Sequence, residues 1–339
     1  MFKRNANRLT QSNNDAATQL AALASRLAEL ERQCAGIAPQ LGTLGSRFDA
    51  MEALLRGQTA AVVQQPNYVD RGTQQLLAME YRRDARTGVA HDFESVEFRN
   101  HSQNGEDGIL HYIFSVIGTT NKYVVEMCAG DGRECNAANL IINHGWHALL
   151  CDGSEENIRT ATAFYWRHPD TMRIPPAISR EWLTAENVNE VISRHGFDQQ
   201  IDLLSIDVDG NDYWLWRAIQ VANPRVVIIE IQAGWMSDAS VTVPYDPGFC
   251  VRKLVDPEQH IEVDYCGASL PAMVKLGREK GYRLVGANRY GFNVIFLRDD
   301  IAAGLLPEIP AEHCFRHPVA RWQYGRVQHL LRAEPWDEI

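Results

Sequence analysis

The chain has 339 residues, 45% of them hydrophobic and 22% charged, a composition typical of globular proteins. A formal charge of −10 argues against a general nucleic-acid binder, which needs a basic face. No run of about 18 apolar residues occurs, so no transmembrane segment is expected. The seven cysteines, an odd number without a CxxC pair, point to neither a disulfide framework nor a zinc site. No apolar signal segment follows Lys3, Arg4 and Arg8, so the expected location is cytoplasmic.

Residues 1–60 read as a helical arm. Leu20, Leu23, Leu27, Leu30, Cys34, Ile37, Leu41, Leu44, Phe48, Met51 and Leu55 recur at alternating spacings of three and four, the a/d seam of a coiled coil. Pro39 and the flanking glycines break the helix near its middle, since proline removes a backbone donor and clashes with the preceding turn. A homo-oligomer assembled through residues 15–56 is the expectation; the alternative is a pair of amphipathic helices packed on the rest of the chain. Residues 61–90 read as a linker with a short helix around 74–83, and residues 91–339 as one catalytic domain.

Within that domain strands and helices alternate. A helix over 105–117 precedes the strand Tyr123–Glu126, a helix over 137–144, the strand His147–Asp152 and a helix over 155–167. A weak strand near 175–178 and a helix over 184–195 capped by Thr184 follow. The runs IDLLSI (201–206) and RVVIIEI (225–231) are continuous and apolar, the mark of strands buried on both faces. A helix over 268–280 leads to a closing strand pair, 282–285 and 293–297. This alternation predicts an α/β fold, a doubly wound sheet with helices on both faces and one antiparallel strand inserted by the final hairpin.

The segment YVVEMCAGDGRECN (123–136) carries the strongest chemical signal. A buried strand ends in an acid, Glu126, and then in a turn whose Gly130, Asp131 and Gly132 let the backbone approach a ligand. The next strand ends in Asp152, placed to accept ribose hydroxyls. The third glycine of a dinucleotide fingerprint would fall at 135, which is Cys135, so a pyrophosphate is disfavoured. Glu126 suits a cationic ligand instead. S-adenosylmethionine (SAM), a phosphate-free sulfonium, fits both facts.

Ligands in such sheets bind beyond the carboxyl ends of the strands. Here those ends carry Glu126, Asp152, Asp207 and Glu230. Asp207, Asp209 and Asp212 in IDVDGND repel one another unless a cation or a hydrogen-bond network offsets them. Asp207, Asp209 and Glu230 are therefore candidate ligands of a divalent metal such as Mg²⁺, and equally candidates for metal-free catalysis with Asp209 or Glu230 as general base. An EF-hand is not expected, because the twelfth position of the loop is Ala218. Before the glycine strand, HSQNGEDG (101–108) opens a helix, and Gln103 and Asp107 are candidates to close over the methionine end of the cofactor. The segment 233–268 is a candidate acceptor-recognition loop. His313 and His317 stand at a ligand-like spacing but without a third partner, which reads as a surface tail.

SQNGEDG, VVEMCAGDGRECNAANL, DVDGNDYW and VVIIEIQ together resemble the FkbM-like class I SAM-dependent methyltransferases, over roughly residues 98–298. The resemblance implies a seven-stranded sheet of order 3-2-1-4-5-7-6 with the last strand antiparallel. It also implies a SAM site lined by Glu126, Gly130 and Asp131, with Asp152 on the ribose, and methyl transfer to a hydroxyl of a carbohydrate or other small polar acceptor. The family's fourth-strand motif reads Asp-x-Glu-Gly-x-Glu, whereas this chain has Asp207, Asp209, Gly210 and Asp212. The rival expectations are a coiled-coil scaffold with an inactive SAM-binding domain and a nucleotide-sugar-binding α/β enzyme.

Overall fold

In the computed structural model the structure describes residues 68–339, together with Ser25, Arg26, Leu27 and Glu29. The chain divides into two compact units, Met1–Pro66 and Asn67–Ile339. The expected coiled-coil seam, the break near Pro39 and the oligomerising role of 15–56 lie outside the described residues, apart from the helical, exposed residues at 25–27 and 29.

The second unit is built on a seven-stranded sheet of order β3-β2-β1-β4-β5-β10-β9. Its strands are β1 (Tyr123–Met127), β2 (His147–Asp152), β3 (Ala177–Arg180), β4 (Gln200–Ile206), β5 (Asn223–Glu230), β9 (Tyr282–Ala287) and β10 (Asn293–Arg298). The first five are mutually parallel, and β10 runs antiparallel to both β5 and β9. Counting only this sheet, the order is 3-2-1-4-5-7-6, as the resemblance implied. It is the class I methyltransferase fold.

The apolar runs explain why these strands are central. Side chains alternate between faces along a strand, so Val124, Leu203, Val226 and Ile295 point to one side while Val125, Leu204 and Val227 point to the other. Each face meets its own helices. The first packs on α3 (Glu106–Ile117) and α4 (Ala138–His144). The second packs on α6 (Val188–Arg194), α7 (Asp212–Ala218) and α8 (Leu270–Glu279). Helix α5 (Glu155–Arg167) covers β2 and β3. Helix α1 (Arg71–Arg86), longer than the short helix expected in the linker, packs against α3 with Tyr81 edge-on to Tyr112 at 5.0 Å. A single turn, α2 (Phe93–Val96), links them.

Several local expectations are corrected. The helix expected from Thr184 is regular only from Val188, while Thr184 and Asn187 exchange main-chain and side-chain hydrogen bonds in the reciprocal pattern of a helix cap over the turn that precedes it. The segment 233–268 is not an open loop. It holds a 3-10 turn (Ala233–Trp235), β6 (Val241–Thr242) and a hairpin of β7 (Arg252–Asp256) and β8 (Ile261–Tyr265). The expected surface tail is a 14-residue helix, α9 (Pro318–Leu331), followed by β11 (Asp337–Glu338) paired to β6. Trp235, Val327 and Leu331 close a small core beneath it. No described helix is long and apolar enough to cross a membrane.

Candidate functional site

The carboxyl edge of the sheet collects the polar residues. After β1 the chain turns through Cys128, Gly130 and Gly132, all at positive φ (64°, 56° and 72°). A Cβ on Gly130 would meet nothing within 4 Å, so the turn is open on that side. Gly132 is confined: a Cβ there would lie 3.0 Å from the Tyr165 ring and 3.1 Å from Ala161, and the Tyr165 hydroxyl donates to its carbonyl at 2.6 Å. Gly130 leaves the turn open on one side and Gly132 seats it on α5.

Asp152, at the end of β2, ties this turn to its own loop. Its Oδ2 accepts the Gly130 amide at 2.9 Å, and its Oδ1 accepts the Ser154 amide at 2.8 Å and the Asn157 side chain at 3.0 Å. Glu126, near the end of β1, is held by the loop that follows it. Its oxygens accept the Asn136 amide at 2.8 Å and the Ala137 amide at 2.6 Å, while Ser205 donates at 3.2 Å. The returning loop thus engages this buried carboxylate, which braces the start of α4. Burial pushes its pKa up, against the pull of those donors. Asp131 is engaged at the surface by Arg133.

The HSQNGEDG segment wraps the start of α3. Asp107 Oδ2 accepts three successive amides, Asn100 at 2.7 Å, His101 at 2.6 Å and Ser102 at 2.8 Å. Its Oδ1 is buried with no partner. Gln103 is exposed, and its carbonyl accepts from Arg99. Neighbouring Glu106 is fully buried and accepts from Asn288 at 2.8 Å and Asn293 at 3.0 Å. Asn293 is the direct cross-strand partner of Glu230.

Carboxylate oxygens of Asp207, Asp209 and Glu230 lie within 4.8 Å of one another, so the fold brings together the three acids that the sequence singled out. Asp209 sits at positive φ (52°), on the tight turn that swings it toward the others. Asp212 does not cap its helix. It holds that turn by accepting the Val208 amide at 2.9 Å and the Gly210 amide at 3.0 Å. Burial, then the charges of Asp212 and Asp209, push Asp207 up to about 7. Glu230 is raised well above its ordinary value, by burial first and the charge of Asp207 second, and shares a hydrogen bond with Asp207. Among the described residues no lysine, arginine or histidine forms an ion pair with any of these four acids.

Between the ends of β2 and β4 a cleft is lined by Asp152, Gly153, Trp182, Leu183, Val208 and Asn211. Trp182 lies over Gly153 and donates its indole N–H to Pro247 at 2.7 Å. Asn211 donates to the Asp246 carbonyl at 2.8 Å, which leaves its Oδ1 buried without a partner. The stretch 245–249 is thereby tied over the cleft, with Phe249 packed on Gly210. Sequence reading missed Glu106, Asn293, Asn211 and Trp182. The acid at 106 was visible in the motif, whereas its partners lie across the fold.

No family model matches the chain, and no curated protein matches it. Solved structures do, at low identity. A SAM-dependent methyltransferase from Clostridium acetobutylicum is 13% identical, covering 66% of this chain and 97% of its own, with a TM-score of 0.36. The glycopeptide N-methyltransferase MtfA complexed with SAM is 11% identical, covering 57% of this chain and 92% of its own, with a TM-score of 0.37. The N-terminal domain of EvdMO1 with SAH bound is 13% identical, covering 65% and 96%, with a TM-score of 0.37. Likeness at this level adds nothing to what the strand order itself shows.

Proposed function

We propose that this chain transfers a methyl group from SAM to a hydroxyl of a carbohydrate or other small polar acceptor. The observation that carries this reading is the excess of buried acid and orphaned acceptors at the carboxyl edge, without a protein cation among the described residues to balance them. Such an edge suits a donor-rich, cationic ligand. Asp152 would take the ribose hydroxyls beside the Gly130–Gly132 turn, with Asp131 at its rim. Asp107 Oδ1, with Gln103 at the mouth, would take the ammonium of the methionine end. Asn211 Oδ1 would take the adenine amino group.

SAM supplies an electrophilic methyl on sulfur; the acceptor oxygen forms the new C–O bond as the S–C bond breaks, and S-adenosylhomocysteine (SAH) leaves as a neutral thioether. The chain's part is to remove the hydroxyl proton and hold the oxygen in line. Asp207, Asp209 and Glu230, held within 4.8 Å of one another, would take that proton. Their three hard oxygens also fit a divalent cation such as Mg²⁺, which would lower the pKa of the acceptor hydroxyl. Their mutual repulsion is relieved either by that ion or by the proton shared between Asp207 and Glu230. Residues 15–56 would assemble copies of the chain, so deleting 1–60 should lower the number of copies per particle found by light scattering; an unchanged oligomer removes that role.

Calorimetry with SAH tests the cofactor reading. The wild type should bind. Asp152→Ala, which leaves the Gly130 and Ser154 amides unpaired, should lose at least about tenfold in affinity. A wild type that does not bind SAH overturns the proposal. EDTA should abolish methyl transfer if the acid cluster holds a metal, and full activity in EDTA assigns the step to the carboxylates alone.

A further inference from the structure

The cleft beside Asp152 is roofed, and the roof leaves little room. It encloses about 70 Å³, against roughly 300 Å³ or more for a pocket that buries a molecule of SAM's size. The roof is the segment 244–251, between β6 and β7, and its tip, Asp246, Pro247 and Gly248, is exposed. Below it lies Asn211 Oδ1, a buried acceptor without a partner. A ligand reaches that atom only if the segment lifts.

Its attachments are those of a piece that can lift. Upstream, the Val243 amide donates to the Gly267 carbonyl at 3.0 Å; downstream, β7 begins at Arg252. Between these anchors, among the described residues, the main chain makes no hydrogen bond to the main chain of another element. The tip closes on itself: the Phe249 amide donates to the Asp246 carbonyl at 2.9 Å and the Gly248 amide to the Asp246 side chain at 2.8 Å. It can therefore move as one body. Three side chains tie it down. Trp182 donates to the Pro247 carbonyl at 2.7 Å and Asn211 to the Asp246 carbonyl at 2.8 Å. The Tyr245 hydroxyl donates to Glu186 at 2.5 Å and accepts the Ala185 amide at 3.0 Å. A few side-chain bonds near the surface, with no strand ladder, mark a segment that opens while the rest stays folded. Phe249 fits beneath because residue 210 is glycine: a Cβ there would stand 2.3 Å from its ring. The closed position is thus built into the acid turn.

We propose that 244–251 is a lid on the cofactor cleft, which lifts to admit SAM and closes over its adenine end through Tyr245, Trp182 and Asn211. One amide then serves both partners, Asn211 Nδ2 holding the lid and Oδ1 the adenine. What enters the cleft rests on the SAM reading; the motion does not. The Tyr245 latch is made whether the cleft is empty or filled. Weakening it therefore speeds entry and exit together and leaves affinity nearly unchanged.

Stopped-flow binding of SAH to the full chain, followed by tryptophan fluorescence, tests it, with hydrogen exchange at the Ala185 amide as a readout that needs no ligand. Tyr245→Phe and Glu186→Ala cut the latch at side chains that do not line the cleft. Both should raise the association and dissociation rates by at least about threefold, with Kd within about twofold of the wild type. Loss of a direct cofactor contact would instead raise dissociation alone. The Ala185 amide, whose acceptor is the Tyr245 hydroxyl, should exchange at least about threefold faster in Glu186→Ala, and in the wild type SAH should slow it. Association rates unchanged in both variants, or a rise in dissociation alone, overturn the lid. A wild type that does not bind SAH refutes the methyltransferase reading. Ala185 exchange then decides the motion, and a rate in Glu186→Ala equal to that of the wild type overturns it.

Discussion

Replacing Asp207 by asparagine should stabilise the metal-free protein, and do so only where the carboxyl would be ionised. Burial and the charges of Asp212 and Asp209 raise this group from 3.8 to about 7 in the native state. A native pKa above the unfolded one means that the folded protein binds the extra proton. Stability is therefore lost as pH climbs from the unfolded value through about 7, and stays lost above it. At ~1.4 kcal/mol per tenfold, the rise from 3.8 to about 7 is worth at most roughly 4 kcal/mol. Because Glu230 shares the proton, about half of that belongs to Asp207 alone, or ~2 kcal/mol. In a unit of this size that corresponds to a melting point roughly 4–8 °C higher for Asp207→Asn at about pH 8.

Differential scanning fluorimetry in EDTA checks the sign. At about pH 8 the variant should melt above the wild type, and at about pH 5, where the native carboxyl is protonated, more than half of the gap should close. Adding Mg²⁺ or Mn²⁺ should raise the wild type more than the variant if the cluster is a metal site, since the ion replaces the shared proton. Methyl transfer should fall in the variant under every condition. A variant no more stable than the wild type at about pH 8, or a gap independent of pH, would refute the electrostatic account of this cluster.

Other substitutions test the frame around the site. Asp202 is fully buried near the opposite edge of the sheet, accepting the amides of Thr120, Asn121 and Lys122 and paired with Arg225 at 2.9 Å. Arg225→Met should cost about 3 kcal/mol in urea unfolding by leaving that charge unpaired, with SAH affinity of the folded protein unchanged; a loss below ~1 kcal/mol would show that the amides alone suffice. Gly132→Ala combines a positive φ with contacts at 3.0 and 3.1 Å to Tyr165 and Ala161, and should cost roughly 2–4 kcal/mol. Trp182→Ala uncovers the cleft over Gly153 and frees Pro247, so it should weaken SAH several-fold while leaving the unfolding midpoint within about 1 °C; unchanged affinity would mean that Trp182 does not cover the cofactor.

What could be read from the sequence follows from where each signal is stored. IDLLSI and RVVIIEI announced central strands because burial on both faces removes any need for polar alternation, and that alone put Asp207 and Glu230 at neighbouring strand ends. The hairpin of β7 and β8 escaped notice because it lies at the surface: Lys253, Val255, Glu262 and Asp264 are exposed on one face, and Leu254, Ile261, Val263 and Tyr265 share the other. Glu126 shows a subtler limit. Its position after β1 was legible, but not its partners, because the amides that consume it arrive on a loop ten residues later. Glu106 goes further, since the asparagines that hold it lie 182 and 187 residues away. A one-dimensional pattern records which acids stand at strand ends. Whether an acid is spent on the backbone, as Glu126 is, or left facing other acids, as Asp207 is, depends on what the rest of the chain brings back to it. That distinction separates the residues that brace this site from those whose charge the rest of the fold leaves uncompensated.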